Sequence, residues 1–229
     1  MKVSELLNKY SIFRISIVRQ AYTRIRYYFF IYLRKLSKSE DVEGVGWLDY
    51  SQSAFQKWKP LTRRIDFLVN TLDFHLVNKD SKLLVIGPRF ECELYGYLSL
   101  GVKRKNLEAL DTFSYSPLIK CGNMHDMDQF PIETFDLIII GWTIVYAKNP
   151  TQVFQELFRV SKKGAKIVIT WDSPIRLSYN HFEDLVFENT EGLMYKISDL
   201  VLPEQIYSWA VTRPSYNENS QIITLVLRG

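Results

Sequence analysis

The chain has 229 residues, 47% hydrophobic and 24% charged, the proportions of an ordinary globular protein with one sizeable core and an extension. Its net charge of +4 is uneven: residues 1–40 hold nine Lys and Arg against Glu5 and Glu40, so +7 falls on this arm and −3 on the remainder. Cys92 and Cys121 fit no metal-ligand spacing or disulfide framework, and the three histidines, His75, His125 and His181, are too scattered for a metal site; no metal is expected.

Within residues 11–38, Ile15, Val18, Tyr22, Ile25, Phe29, Tyr32 and Leu36 step by 3 and 4. The spacing predicts an amphipathic helix with this seam as its contact face and Arg14, Arg19, Arg24 and Arg26 off it. Three uses stay open: packing on its own domain or on a twin chain as a homodimer, docking on a partner or an anionic membrane surface, and binding nucleic acid, which the dispersed basic residues disfavour. The uncharged run Tyr27–Leu33 is far too short to span a bilayer, and the residues after Met1 are too broken by Lys and Arg for a secretory signal. A cytoplasmic protein is therefore expected, at most peripheral at the inner membrane surface, with both cysteines as small buried thiols.

Ser39–Gly46 reads as a linker, dividing the chain into a basic helical arm, 1–45, and a domain, 46–229. Trp47, Tyr50, Phe55 and Trp58 form an aromatic-rich segment, and residues 61–77 read as a helix with Pro60 suited to its start. Leu83–Ile86 is a continuous apolar run, as in a parallel strand buried on both faces. Gly87 supplies a turn, Glu91–Leu100 a helix, and Leu107–Leu110 a second strand ending on Asp111. This succession is the ribose-binding half of a doubly wound α/β domain.

The dinucleotide fingerprint needs three glycines so that a pyrophosphate can meet bare backbone. Here only Gly87 is present, followed by Pro88, Arg89, Phe90, Glu91 and Cys92. Glu91 and Glu93 would also place negative charge beside a diphosphate. The residues thus favour a nucleoside with a cationic tail, S-adenosylmethionine, over a nicotinamide dinucleotide.

Further along, Leu118–Cys121 reads as a short strand, Phe135–Ile140 as a central strand, and Asn149-Pro150 as the start of a helix with Val153, Phe154, Leu157 and Val160 inward. Ala165–Trp171 is a fifth strand, Asn180–Gly192 a helix, and Gln205–Val211 with Gln221–Leu227 a closing hairpin. From about Lys82 onward, VIGPRFECE, LEALD, CGNMHDM, FDLIIIGWTIVYAKNP and TQVFQELFRVSKKGAKIVIT resemble the successive motifs of class I S-adenosylmethionine-dependent methyltransferases. Val85 stands where that family usually has an acid, and Arg89 where it has its second glycine.

The resemblance implies a seven-stranded, mixed, doubly wound α/β sheet, with S-adenosylmethionine as the cofactor. It implies that Gly87, Pro88 and Arg89 line the methionine end, Arg89 pairing with the carboxylate and Glu91 accepting from the ammonium group. Asp111 would hold the ribose hydroxyls, Thr112 and Phe113 flank the adenine, and Asn123 and Met124 contact its edge and face. Gly141 and Trp142 would face the methionine moiety. His125 and Tyr146 lie within reach of an acceptor as candidate catalytic groups. The acceptor implied is a small molecule, a glycan or a lipid-linked intermediate. A non-catalytic scaffold holding a partner through its arm is the alternative, supported by the absent second glycine.

Overall fold

The computed structural model describes residues 9–33, 37–38, 65–69, 78–172, 206–212 and 220–227. The linker Ser39–Gly46, the aromatic segment of Trp47–Trp58, most of the 61–77 helix and the 180–192 helix lie outside the described residues.

Seven strands make one mixed sheet. Leu83–Ile86 (β2) pairs in parallel with Phe135–Gly141 (β6), Leu83 opposite Leu137 and Ile86 opposite Ile140. In turn, β6 pairs in parallel with Ser161–Asp172 (β7), and Leu107–Asp111 (β3) with Lys120–Cys121 (β5). Ser220–Leu227 (β9) runs antiparallel to both β7 and Ile206–Thr212 (β8). The strand order is β5-β3-β2-β6-β7-β9-β8: a mixed sheet of parallel pairs and a closing antiparallel hairpin, the α/β arrangement expected. All four residues of β2 and the run Leu137–Ile140 are buried, as strands covered on both faces must be. A separate two-stranded ribbon pairs Ser37–Lys38 (β1) with Phe113–Ser114 (β4).

The chain divides into two compact units, Met1–Ser81 with Pro88–Asn123, and Lys82–Gly87 with Met124–Gly229. The second contains the helix Pro150–Val160 (α3), which begins as its sequence dictates. Asn149 Oδ1 accepts from the Gln152 amide at 3.2 Å and Pro150 takes the first position, where its missing N–H costs nothing. Val153, Phe154, Leu157 and Val160 are buried, the four positions predicted.

The first unit is built around Glu91–Ser99 (α2), buried on every side. Gly96 lets the helical residues 65–69 approach: a Cβ there would meet Val69 Cγ2 at 2.5 Å. Ser16–Tyr32 (α1), preceded by a 3-10 turn over Ser11–Arg14, packs on α2.

This helix exists where predicted but is rotated from the expected orientation. Its buried positions are Arg19, Thr23, Tyr27 and Phe30. Of the seam expected inside, Ile15 is 54% exposed, Ile25 69%, Phe29 56% and Tyr32 85%. The reason is polar. Arg19 pairs with Asp66 and donates from Nη1 to the Phe13 carbonyl at 2.8 Å. Arg26 donates from Nε and Nη2 to the two carboxylate oxygens of buried Glu91, at 2.5 and 2.9 Å. Tyr27 meets Tyr115 edge-on, ring centroids 5.0 Å apart, and Phe13 lies 4.7 Å from Tyr95. A bidentate ion pair on a buried carboxylate, a second ion pair and aromatic edges outweigh the aliphatic seam in choosing the face.

Candidate functional site

Of the residues predicted to bind the nucleoside, Thr112 and Phe113 gather at Asp111, at the carboxyl end of β3. The turn after β2 comes back to it. Arg89 adopts φ 27°, Phe90 N–H closes on the Pro88 carbonyl, and Arg89 N–H donates to Asp111 Oδ2 at 3.2 Å. On the other oxygen, Oδ1 accepts from Phe113 N–H at 3.3 Å and from the Thr112 hydroxyl at 3.4 Å. Gly122 N–H donates to the Asp111 carbonyl at 2.9 Å, which brings the β5 end alongside. Arg89, Asp111, Thr112, Phe113 and Asn123 are all half-buried, whereas Pro88 is buried. Burial pushes the Asp111 carboxyl above the usual carboxylate range, against the Phe113 amide and the charge and amide of Arg89, which favour its ionised form.

In the second unit the ends of β2 and β6 are tied together. Gly87 has φ +71°, and a Cβ on it would strike Thr143 Oγ1 at 2.0 Å. The Thr143 hydroxyl lies 3.0 Å from the Gly141 carbonyl and 3.4 Å from that of Gly87. Trp142 holds φ 57°, its N–H donating to Thr170 Oγ1 at 2.9 Å. Of the three non-glycine residues at positive φ among the described residues, Arg89 and Trp142 both follow sheet strands at their carboxyl ends. Strained backbone of this kind persists where a site requires it. Gly141, Trp142 and Tyr146 are half-buried and Met124 is buried; Tyr146 closes a 3-10 turn over Ile144–Tyr146.

Two of the candidate groups are engaged by the protein's own residues. The Glu91 carboxylate is fully buried, both oxygens engaged by Arg26 and one also by the Ser116 hydroxyl. It anchors α1 and is not available to a ligand's ammonium group. His125 accepts at Nε2 from Asn149 N–H at 3.1 Å, bracing the start of α3. The electrostatic case against a diphosphate also weakens. Arg26 pairs with Glu91, and Glu93, pushed up to about 7 by burial against the hydrogen bond from the Tyr97 hydroxyl (2.7 Å), is only about half ionised near neutrality.

Sequence reasoning missed Arg26, Thr143, Tyr115 and Ser116. Thr143 had a signal, a hydroxyl two residues beyond a strand-end glycine. Arg26 had none, because its partner is 65 positions away. Elsewhere, Asp126, Asp128 and Glu156 bring carboxylate oxygens within 4.8 Å of one another, but Arg159 takes both Glu156 oxygens at 2.7 Å. The Cys92 thiol is buried and raised by that burial, which leaves it inert.

The strand order, the strand-end glycines and the acid closing β3 define a class I S-adenosylmethionine-dependent methyltransferase fold. Residues 99–169 match the family described as "Methyltransferase domain". Among solved structures, an S-adenosylmethionine-dependent methyltransferase from Thermotoga maritima superposes with a TM-score of 0.52 at 15% identity, covering 79% of this chain and 99% of that one. One from Aquifex aeolicus gives 0.52 at 13%, covering 77% and 97%. A chain of the Haloferax volcanii complex between the Trm112 methyltransferase activator and a methyltransferase gives 0.56 at 12%, covering 77% and 96%. No curated protein matches the sequence at a significant level.

The cofactor implied is S-adenosylmethionine, and the donor set fits it. Two amides and, at 3.4 Å, the Thr112 hydroxyl occupy three of the roughly four acceptor sites of the Asp111 carboxylate; rotation of that hydroxyl away leaves two acceptor sites for a vicinal diol.

Proposed function

We propose that the protein is an S-adenosylmethionine-dependent methyltransferase acting on a small-molecule, glycan or lipid-linked acceptor. The observation that carries this reading is the Asp111 carboxylate, held at the end of β3 by the backbone of the turn after β2 and of Phe113. Asp111 binds the ribose hydroxyls. Thr112, Phe113, Asn123 and Met124 serve the adenine, and Gly87, Pro88, Arg89, Gly141 and Trp142 the methionine portion, with the Arg89 guanidinium on the carboxylate.

When bound, the cofactor supplies a methyl group already activated on a sulfonium, so the protein's contribution is alignment and exclusion of water. Tyr146 and His125 are the candidates to orient or deprotonate an acceptor. The acid-rich turn with a single glycine also suits a catalytically silent scaffold, and binding separates the two. Calorimetry on the full chain is expected to show one S-adenosylmethionine site in the micromolar range and weaker binding of a nicotinamide dinucleotide. Absence of any heat with S-adenosylmethionine would favour the scaffold.

A further inference from the structure

The face of α1 that turns away from α2 is a helical apolar stripe with no acidic residue near it in sequence. Ile15, Ile25, Phe29 and Tyr32 all lie more than half exposed along it, and Ile12 extends it into the preceding turn. From Lys9 to Lys38 there are eight Lys and Arg and no Asp or Glu. Arg19 and Arg26, on the inward face, pair with Asp66 and Glu91, acids that lie outside this stretch of the sequence. No helix among the described residues is long and apolar enough to cross a membrane.

We propose that this stripe docks in the plane of an anionic lipid surface, its apolar side chains at the acyl boundary and the surplus basic residues among the headgroups. The charge decides the occupant. A second copy would bring two such basic helices together, and like charges oppose that pairing, whereas a surface of acidic headgroups is complementary to them. The shape agrees. Seventeen helical residues give a rod of about 25 Å, and tyrosine at the stripe's end suits the water–lipid boundary. Because Arg19, Thr23, Tyr27 and Phe30 are already buried against the protein, the outer face engages lipid without unfolding the inner one. An in-plane helix of this kind needs both an apolar face and basic flanks. The docking does not depend on the methyl-transfer reading.

The test is co-flotation of the full chain with vesicles of phosphatidylcholine mixed with phosphatidylglycerol, against phosphatidylcholine alone, for wild type and an Ile25→Glu/Phe29→Glu double variant. Wild type is expected to float with the anionic vesicles only, and less as salt rises. The double variant should float at least ~10-fold less, having lost two apolar side chains from the boundary. Its melting temperature and S-adenosylmethionine affinity should match wild type, since both positions are exposed. Equal flotation of the two proteins, no flotation of wild type, or binding indifferent to lipid charge would each overturn the assignment. So would a wild-type dimer that the double variant breaks, which would give the stripe to a second copy.

Discussion

Glu93 shows how burial redirects an ordinary residue. Its side chain sits inside α2, nearly excluded from water, with the Tyr97 hydroxyl donating to it at 2.7 Å. Desolvation dominates and pushes its pKa from 4.5 up to about 7. The folded state therefore keeps a proton that the unfolded chain releases near pH 4.5. Stability from this group is fully present below that value, declines as pH rises toward about 7, and is flat beyond. At 1.36 kcal/mol per unit the decline is on the order of 3 kcal/mol. Urea unfolding between pH 5 and 8 should show it, and Glu93→Gln, which cannot ionise, should flatten that part of the profile. An unchanged profile in the variant would place the titration elsewhere.

At the scale of elements, the coupling of α1 to α2 rests on Arg26 and Glu91. The Arg26 side chain is 25% exposed and that of Glu91 wholly buried, and the guanidinium also lies over the Phe30 ring, 5.0 Å from its centroid. Truncating Arg26 leaves a buried carboxylate with only the Ser116 hydroxyl and no counter-charge. Arg26→Ala should therefore destabilise the protein by about 3–5 kcal/mol, whereas Arg26→Ala with Glu91→Gln should recover part of the loss. Chemical denaturation of the double-mutant cycle measures this, and additive effects would mean that the pair does not act as a unit. The same elements show what was legible in the sequence. For α3, cap, proline and apolar positions are local and all agree, so sequence and structure coincide. For α1, the sequence carries two stripes, one aliphatic and one mixed with arginine and aromatics. Periodicity alone marks the aliphatic stripe as a contact face without telling which stripe packs inward, because the residues that decide it, Asp66 and Glu91, are 47 and 65 positions away.

At the scale of the whole molecule, the sheet was readable because buried parallel strands are short apolar runs whose ends are marked by glycine or acid: Ile86 before Gly87, Leu110 before Asp111, Ile140 before Gly141. The seventh strand and its antiparallel direction followed from the closing hairpin. Roles within the site were only partly readable. Asp111 could be placed because the position after a strand is set by chain order. The partners of Glu91 and His125 were not legible, because proximity in sequence to a binding turn does not reveal which way a carboxylate or an imidazole is drawn by residues distant in the chain.

The account turns on Asp111 as the group that holds the cofactor's ribose. Isothermal calorimetry of S-adenosylmethionine with wild type and Asp111→Ala measures this directly. Loss of two charge-assisted hydrogen bonds at 1.5–3 kcal/mol each corresponds to a weakening of at least ~100-fold. Wild-type affinity should also fall as pH is lowered through the raised carboxyl pKa, since only the ionised form accepts both hydroxyls. An affinity left unchanged by Asp111→Ala, in a variant that still folds, would contradict the account.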